Sequence, residues 1–147
     1  MFKRILVPVD GSNTSNLALQ WAVKLAKEQQ AQIEVVYVID DINLGQETGY
    51  TPDELVDALR KSGQEILRRA EALLREAGMT AATKLLEIET FGHHVADMIA
   101  DEAKIWSADV IVIGTHGRRG VTHFFLGSVA ERVVRIATTP VLLIRGK

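Results

Sequence analysis

One segment of the sequence has the glycines and basic side chains that suit an anion-binding site. It reads Gly114-Thr115-His116-Gly117-Arg118-Arg119-Gly120, follows a short apolar run, and precedes Gly127-Ser128, where a helix is predicted to begin. Glycine lacks a Cβ, so its backbone amide can approach a ligand closely, and a helix start adds unpaired N–H groups and the positive end of the helix dipole. We therefore predict an anion site, best suited to nucleotide phosphates. The side chains that add charge or hydrogen-bond donors are His116, Arg118, Arg119 and His123.

The same residues also have purely structural explanations. The run Ser128-Val129-Ala130-Glu131 has the composition of a capping box, so Ser128 would serve only to start the helix. Gly114 fits the end of a strand, Gly120 fits a turn, and the two arginines fit a solvated basic edge. Because glycine-rich loops often match by chance, the spacing alone leaves phosphate binding and a structural role equally open.

The sequence excludes several other kinds of site. It contains no G-x-x-x-x-G-K-[ST] motif, and no G-x-G-x-x-G follows the first predicted strand. The third predicted strand ends in Thr90-Phe91-Gly92, without the phosphorylatable Asp of a receiver domain. The absence of cysteine excludes thiol nucleophiles, redox pairs and thiolate zinc sites. The four histidines lack metal-ligand spacing, and no Ser-His-Asp constellation can be assembled.

Composition limits the class of protein. The 147 residues are 47% apolar and 24% charged, and 17 Lys and Arg stand against 19 Asp and Glu. This composition is typical of one soluble domain, and the net charge of −2 argues against a protein whose main task is to hold nucleic acid. No run approaches the roughly 18 apolar residues of a membrane span, and the apolar stretch near the N-terminus is too short for a signal peptide. We expect a cytoplasmic protein without membrane insertion.

The pattern of apolar residues predicts the elements that position the candidate side chains. Continuous apolar runs are typical of strands covered on both faces, whereas residues 83–90 alternate as at a sheet edge. Strands are predicted at residues 5–9, 33–39, 83–90, 110–113 and 141–144, and helices at 17–26, 51–77, 95–106 and 129–137. The first helix has an apolar face of Leu17, Trp21 and Leu25 beside a narrow stripe of Ala18, Ala22 and Ala26, and Thr51 is the predicted cap of the second helix. With right-handed crossovers, this alternation predicts an α/β fold with an open, parallel, doubly wound sheet. Asp10 then lies at the edge where such folds bind ligands.

Over essentially its whole length the sequence resembles the universal stress proteins, within the adenine-nucleotide-binding branch of α/β folds. The matching runs are Ile5-Leu6-Val7-Pro8-Val9-Asp10-Gly11-Ser12, Val36-Tyr37-Val38-Ile39-Asp40 and Thr139-Pro140-Val141-Leu142-Leu143-Ile144. The family's nucleotide signature, G-x-x-G, nine residues, then G-[ST], is complete as Gly114, Gly117, residues 118–126, Gly127 and Ser128. The resemblance implies one domain over residues 1–147, with a Rossmann-like, adenine nucleotide alpha hydrolase-like fold whose five strands have the order 3-2-1-4-5.

Family members with the complete signature bind ATP, so the resemblance implies an ATP site, with Mg²⁺. Asp10 is the implied Mg²⁺ ligand; its alternative role, given equal weight, is a turn-forming Asp before Gly11. The resemblance carries the following nucleotide contacts over to this sequence: Pro8, Val9 and Asp10 at adenine and ribose; Val38 through its backbone at the base; Gly114, Thr115, His116, Gly117, Arg118 and Arg119 along ribose and phosphates; and Gly127, Ser128 and Val129 at the terminal phosphates.

The resemblance also implies an assembly and a role. The family pairs through its last strand, which implies a homodimer through Val141, Leu142, Leu143 and Ile144, with a tetramer as a further form. The alternative is an unpaired edge strand, which the apolar character of these residues disfavours. Similarity to a family member associated with an osmolyte transporter makes such a transporter one candidate partner. The implied function is a regulatory ATP sensor; the alternatives are a slow ATPase using Asp10 and His116, and a nucleotide-free scaffold.

Overall fold

A computed structural model describes residues 1–40, 52–90, 92–116 and 126–146, which form five strands and four helices. The strands are β1 (Arg4–Pro8), β2 (Gln32–Ile39), β3 (Ala81–Glu87), β4 (Val110–Gly114) and β5 (Val141–Ile144). The helices are α1 (Asn13–Gln29), α2 (Pro52–Glu76), α3 (Val95–Ile105) and α4 (Ser128–Ile136). The predicted cap at Thr51 lies outside the described residues.

The strands form one parallel sheet in the order β3-β2-β1-β4-β5. Val7 of β1 is in register with Val35 of β2, and Ile111 of β4 is in register with Val141 of β5. The predicted fold class and strand order are therefore confirmed. The half-exposed strand β3 is an edge, as its alternating sequence indicated, although it runs two residues earlier at its start and ends at Glu87.

Two hydrophobic cores lie on opposite faces of this sheet. On one face Ile5 and Val7 of β1 pack with the inward residues of α1 and α2. On the other face Leu6 packs with α3 and α4, through residues such as Ile99 and Val133. Because successive side chains of a strand point to opposite faces, both faces of β1 are buried, which explains its continuous apolar run.

Helix α1 sits close to the sheet through its small residues. Ala18, Ala22 and Ala26 are buried, whereas Trp21, which the sequence placed on the apolar face, is 51% exposed. The Trp21 ring lies under Lys24, whose Nζ is 4.9 Å from the ring centroid. The prediction for the alanine stripe is therefore confirmed and the one for Trp21 is wrong, because Leu19 and Val23 complete the buried face of α1 instead.

Helix α2 makes a close approach at a single glycine. Gly63 is buried in the middle of the helix, and a Cβ placed there would lie 2.6 Å from Tyr37 Cδ1 and 2.8 Å from Leu85 Cδ1. Gly63 thus allows α2 to cover the ring of Tyr37 on β2. The helix ends as predicted before Gly78, which has the left-handed φ of +79°. No helix in the described ranges is long and apolar enough to cross a membrane.

Candidate functional site

A cavity of about 400 Å³ lies at the carboxyl ends of the central strands. Its volume falls within the range of small-molecule sites in proteins. It is lined by residues that follow β1, the end of β2, the end of β4 and the start of α4, together with parts of α2 and α3. The predicted site residues among its lining are Pro8, Val9, Asp10, Val38, Gly114, Thr115, His116, Gly127, Ser128 and Val129. Their contact with a nucleotide stays a prediction.

The remaining predicted site residues, Gly117, Arg118 and Arg119, lie outside the described residues, as does His123. The cavity has further walls that the sequence motifs did not indicate. Tyr37 of β2 and Leu59 of α2 line one side, and Val95 and Ile99 of α3 line the other. Tyr37 had a readable signal, since it stands inside a matched run beside Val38. The residues from α2 and α3 had none, because only the fold brings those helices to the sheet edge.

The turn after β1 is organised by Asp10. Its Oδ1 accepts a 2.9 Å hydrogen bond from the backbone N–H of Ser12, the geometry of a turn-forming Asp. Gly11 between them has a φ of +85°, which glycine adopts without strain. Ser12 then caps α1, since its Oγ accepts from the backbone N–H of Ser15 at 3.2 Å. The structural role of Asp10 is therefore present, and it aims the start of α1 at the cavity.

The end of β4 is fitted against the first turn of α1. A Cβ placed at Gly114 would lie 3.0 Å from the backbone of Thr14, so glycine permits the close approach of the two segments. The Thr14 hydroxyl donates a 2.6 Å hydrogen bond to the carbonyl oxygen of His116, and the Thr115 hydroxyl lies 3.0 Å from His116 Nδ1. Thr14 is thus a site-forming residue that sequence reasoning missed.

The start of α4 faces the same cavity. The N-cap residue is Gly127, so the predicted capping box beginning at Ser128 is wrong: the helix starts one residue earlier than that motif requires, and the N-cap residue has no side chain to cap with. The first amides of a helix have no intrahelical partner, and together with the helix dipole they favour an anion. The Gly127 N–H itself donates to the Thr115 carbonyl oxygen at 2.6 Å.

An ion pair joins α4 to α3 beside this helix start. Arg132 Nη2 lies 3.6 Å from Asp97 Oδ2, and the same carboxylate oxygen accepts a 2.8 Å hydrogen bond from the backbone N–H of His94. Burial opposes ionisation of Asp97, but this hydrogen bond and the charge of Arg132, with smaller contributions from His93 and His94, hold its pKa below the usual value. Asp97 is therefore ionised at neutral pH and connects α3 to α4 through Arg132.

The donor set suits a nucleotide better than a metal cage. In the described part of the chain no group of three or more His, Cys, Asp and Glu side chains is placed to hold a metal ion. Mg²⁺ is commonly bound through one or two carboxylates and substrate phosphates, so Asp10 fits an ion that arrives with a nucleotide. The apolar walls and the helix start fit a base and phosphates respectively.

The sheet and its terminal cavity define a doubly wound α/β protein with a cavity at the carboxyl ends of its strands. Residues 1–145 match the model of the universal stress protein family, and the chain belongs to that family. It is 36% identical over 149 residues to a universal stress protein of Methanocaldococcus jannaschii, covering 99% of this chain and 83% of that protein. It is 36% identical over 153 residues to the universal stress protein YxiE of Bacillus subtilis, covering 99% of this chain and all of that protein.

Solved structures of relatives share the fold. A protein of the family from Burkholderia pseudomallei is 36% identical, with a TM-score of 0.76 over 97% of this chain and 96% of the other. A universal stress protein from Archaeoglobus fulgidus, solved in complex with dAMP, is 28% identical, with a TM-score of 0.71 over 97% of this chain and 98% of the other.

Proposed function

We propose that this chain is a regulatory ATP-binding protein, in which the bound nucleotide alters contacts with a partner. The observation that carries the proposal is the cavity itself, where apolar walls end at the start of α4. An apolar pocket suits a purine base, and helix-start amides suit phosphates. The similar protein from Archaeoglobus fulgidus was solved with dAMP, an adenine nucleotide.

In this proposal the elements around the cavity divide the nucleotide between them. Pro8, Val9 and the backbone of Val38 hold the adenine and ribose. Gly114, Thr115 and His116 follow the ribose and first phosphates, continuing into Gly117, Arg118 and Arg119. Ser128 and Val129 hold the terminal phosphates through backbone amides, and Gly127, whose own N–H is bonded to Thr115, leaves room for them beside the helix start. A bound Mg²⁺ ion would neutralise phosphate charge, with Asp10 as its protein ligand.

Regulation is favoured over turnover by the surroundings of the two candidate catalytic groups. Asp10 accepts the hydrogen bond of its own turn, and the His116 ring lies against the Thr115 hydroxyl. Both groups therefore already have structural partners, whereas hydrolysis needs a group positioned on the attacking water. A slow ATPase that uses the same site is the alternative.

The assembly completes the proposal. Strand β5 is the edge of the sheet, and Leu142 on it is 39% exposed. An apolar edge strand invites pairing with a second copy. We propose a homodimer through Val141, Leu142, Leu143 and Ile144, which can pair further into a tetramer, in the cytoplasm. Its nucleotide state would control affinity for a protein partner, an osmolyte transporter being one candidate.

Binding is tested by calorimetry with Mg²⁺-ATP and by mass spectrometry of the gently purified protein. Gly127→Leu places a side chain at the helix start and removes at least one charge-assisted hydrogen bond, so affinity should fall by at least about tenfold. Val134→Leu, at a 46% exposed position of the same helix, is the matched control and should bind as wild type does. Absence of ATP binding by the wild type would overturn the proposal.

A turnover assay separates the regulator from the enzyme. The regulator keeps bound ATP intact over hours, and addition of ATP changes its oligomeric state or its binding to a partner. Sustained hydrolysis at enzyme-like rates would instead establish the ATPase. Unchanged affinity in a folded Gly127→Leu variant would show that the phosphates are not bound at the start of α4.

A further inference from the structure

We propose that Glu34 and Glu102 form a proton-binding site beneath α3, at the end of the sheet away from the cavity, and that the bound proton holds α3 against β2. This site is separate from the nucleotide site and goes beyond the proposed function. Its ligand is a single proton shared between two carboxyl groups. Neither residue lines the cavity at the carboxyl ends of the strands.

The two carboxyl groups lie inside the smaller of the two cores. Glu34 is the third residue of β2, in register with Leu6 of β1, and it alternates onto the same face as Val36. Glu102 lies near the end of α3. The residues are only 6% and 3% exposed, respectively. Glutamates are almost never so deeply buried unless they are paired, so their burial needs an explanation.

A shared proton supplies that explanation. Glu102 pairs with Lys84, and Lys84 is in register with Val36, the residue next to Glu34 on the same face of β2, so the two buried carboxyl groups are neighbours. An ionised carboxylate only accepts hydrogen bonds, so two carboxyl groups can bond to each other only when one of them carries a proton. One positive charge is available to balance one ionised carboxylate, because Lys84 Nζ of β3 lies 3.0 Å from Glu102 Oε1. We assign the proton to Glu34 and the negative charge to Glu102.

The other groups around the pair do not replace the proton. Besides Glu102 on α3 and Lys84 on β3, the charged group acting on Glu34 is Arg4 on β1. Arg4 is itself engaged by the end of α3, since its Nη1 donates a 2.6 Å hydrogen bond to the Trp106 carbonyl oxygen. Glu34 Oε1 has no hydrogen-bond partner among the described residues, which disfavours an ionised Glu34 further.

The pKa of Glu34 agrees with this assignment. Burial first, then the hydrogen bond and the negative charge of Glu102, raise it from 4.5 to about 8, against the opposing charges of Lys84 and Arg4. The folded chain therefore holds a proton that the unfolded chain releases between these two values. Stability from this group is complete below pH 4.5 and is lost as the pH rises toward 8. Above that, two buried negative charges repel each other across the junction of β2 and α3.

The test compares wild type with Glu34→Gln, which keeps a donor toward Glu102 at every pH. In urea unfolding, the folding equilibrium constant of the wild type should lose up to about tenfold per pH unit below the raised pKa, through this group. Glu34→Gln should lack that component and be more stable than wild type near pH 9. Glu89→Gln, on an exposed glutamate just after β3, is the control and should keep the wild-type profile.

A direct titration keeps the proposal testable even if the variant folds poorly. Carboxyl carbon NMR of the wild type should show one glutamate titrating near pH 8, and the amide exchange of α3 should accelerate as that proton leaves. The proposal is overturned if every glutamate of the folded wild type titrates in the ordinary range. It is equally overturned if a folded Glu34→Gln variant keeps the full pH dependence.

Protonation of Glu34 should also affect the cavity, because α3 and β2 both contribute to its walls. The same helix carries Val95 and Ile99 into the cavity wall, and β2 carries Tyr37 and Val38 into it.

This link rests on the proposed function. We expect ATP to bind more tightly to the protonated chain, and calorimetry in buffers of different ionisation enthalpy should detect proton uptake near pH 8. Loss of that uptake in Glu34→Gln, with binding retained, supports the link. Uptake retained in Glu34→Gln overturns it, and an absence of ATP binding overturns the proposed function while the titration still tests the proton site.

Discussion

The backbone amide of Gly127 donates a 2.6 Å hydrogen bond to the carbonyl oxygen of Thr115. The residue that caps α4 is thereby held directly against the residue that follows β4. Thr115 is anchored in turn, because its own N–H donates to the Ile144 carbonyl oxygen at 2.9 Å. Two backbone hydrogen bonds therefore position the start of α4 relative to the sheet: one joins Gly127 to Thr115, and the other joins Thr115 to Ile144 of β5.

Thr14 should be necessary for this arrangement. Thr14→Val keeps the volume of the side chain and removes the hydrogen bond to the His116 carbonyl oxygen. We expect a loss of about 1 kcal/mol in the free energy of unfolding and a weaker affinity for ATP. Both are measurable, by urea denaturation and by calorimetry.

Thr14→Ser provides the matched control because it keeps the hydroxyl and loses only the methyl group near Gly146. It should restore the affinity for ATP to near the wild-type value. If Thr14→Ser binds ATP as poorly as Thr14→Val does, the packing of the methyl group, rather than the hydrogen bond, positions His116.

Gly63→Ala should destabilise the protein although alanine is the better helix former. The helix gains about 1 kcal/mol of intrinsic propensity, but crowding in a packed core typically costs about 1–3 kcal/mol. The new Cβ would meet the rings and methyl groups of Tyr37 and Leu85. Since Tyr37 lines the cavity, ATP affinity should fall together with the free energy of unfolding.

Gly78→Ala separates this crowding from the general cost of replacing glycine. Nothing lies within 4 Å of a Cβ at Gly78, but its φ of +79° is unfavourable for alanine. It should lose about 1 kcal/mol of stability through the backbone alone and leave ATP affinity unchanged. A Gly63→Ala variant as stable as the wild type would show that α2 can move away from β2 at little cost.

Asp97 should contribute to stability in the acidic range. Its pKa is lowered in the folded chain, so the stability it provides is present above its unfolded pKa of 3.8 and is lost as the pH falls through the lower, folded value. Asp97→Asn should remove that part of the acid dependence. At neutral pH the loss should be below about 1 kcal/mol, since the ion pair with Arg132 is partly exposed.

Asp57→Asn, on an exposed position of α2, is the control for the Asp97 experiment and should unfold in acid as the wild type does. The measurement is urea denaturation over the acidic range. An Asp97→Asn profile that overlays the wild type would mean that the ion pair between α3 and α4 is without thermodynamic effect.

Leu142→Lys should prevent pairing through β5. A lysine on an edge strand disfavours contact with a second strand, while the monomer has room for it at a half-exposed position. Light scattering after gel filtration should report a dimer for the wild type and a monomer for the variant. Ile105→Lys, at a 74% exposed position at the end of α3, is the control and should stay dimeric. A monomeric wild type would contradict the proposed assembly.

The parts of the fold that the sequence predicted are those with local or periodic signals. The run Ile5-Leu6-Val7 is apolar because both of its faces are covered, and Gly78 ends a helix because it takes a left-handed conformation. Trp21 and Ser128 were misjudged for a common reason. Tryptophan fits an apolar face and serine fits a helix cap. In the structure a neighbour takes each role, since Ala22 is buried in place of Trp21 and Gly127 is the N-cap in place of Ser128.

Other features depended on contacts that one sequence does not reveal. Thr14 meets His116 across 102 positions of the chain, and Gly63 meets Tyr37 only through the packing of α2. Glu34 did have a signal, because it is the single charge in the run Ile33-Glu34-Val35-Val36. Its partner Glu102 becomes evident only when α3 lies on the sheet.

Residues from both hydrophobic cores line the cavity. Tyr37 and Leu59 belong to the half built with α1 and α2, and Val95 and Ile99 belong to the half built with α3 and α4. A molecule that fills the cavity would touch both halves and connect the two layers of helices at the carboxyl edge of the sheet. Because such a ligand binds only when both halves are folded, its occupancy should raise the free energy of unfolding of the two halves together.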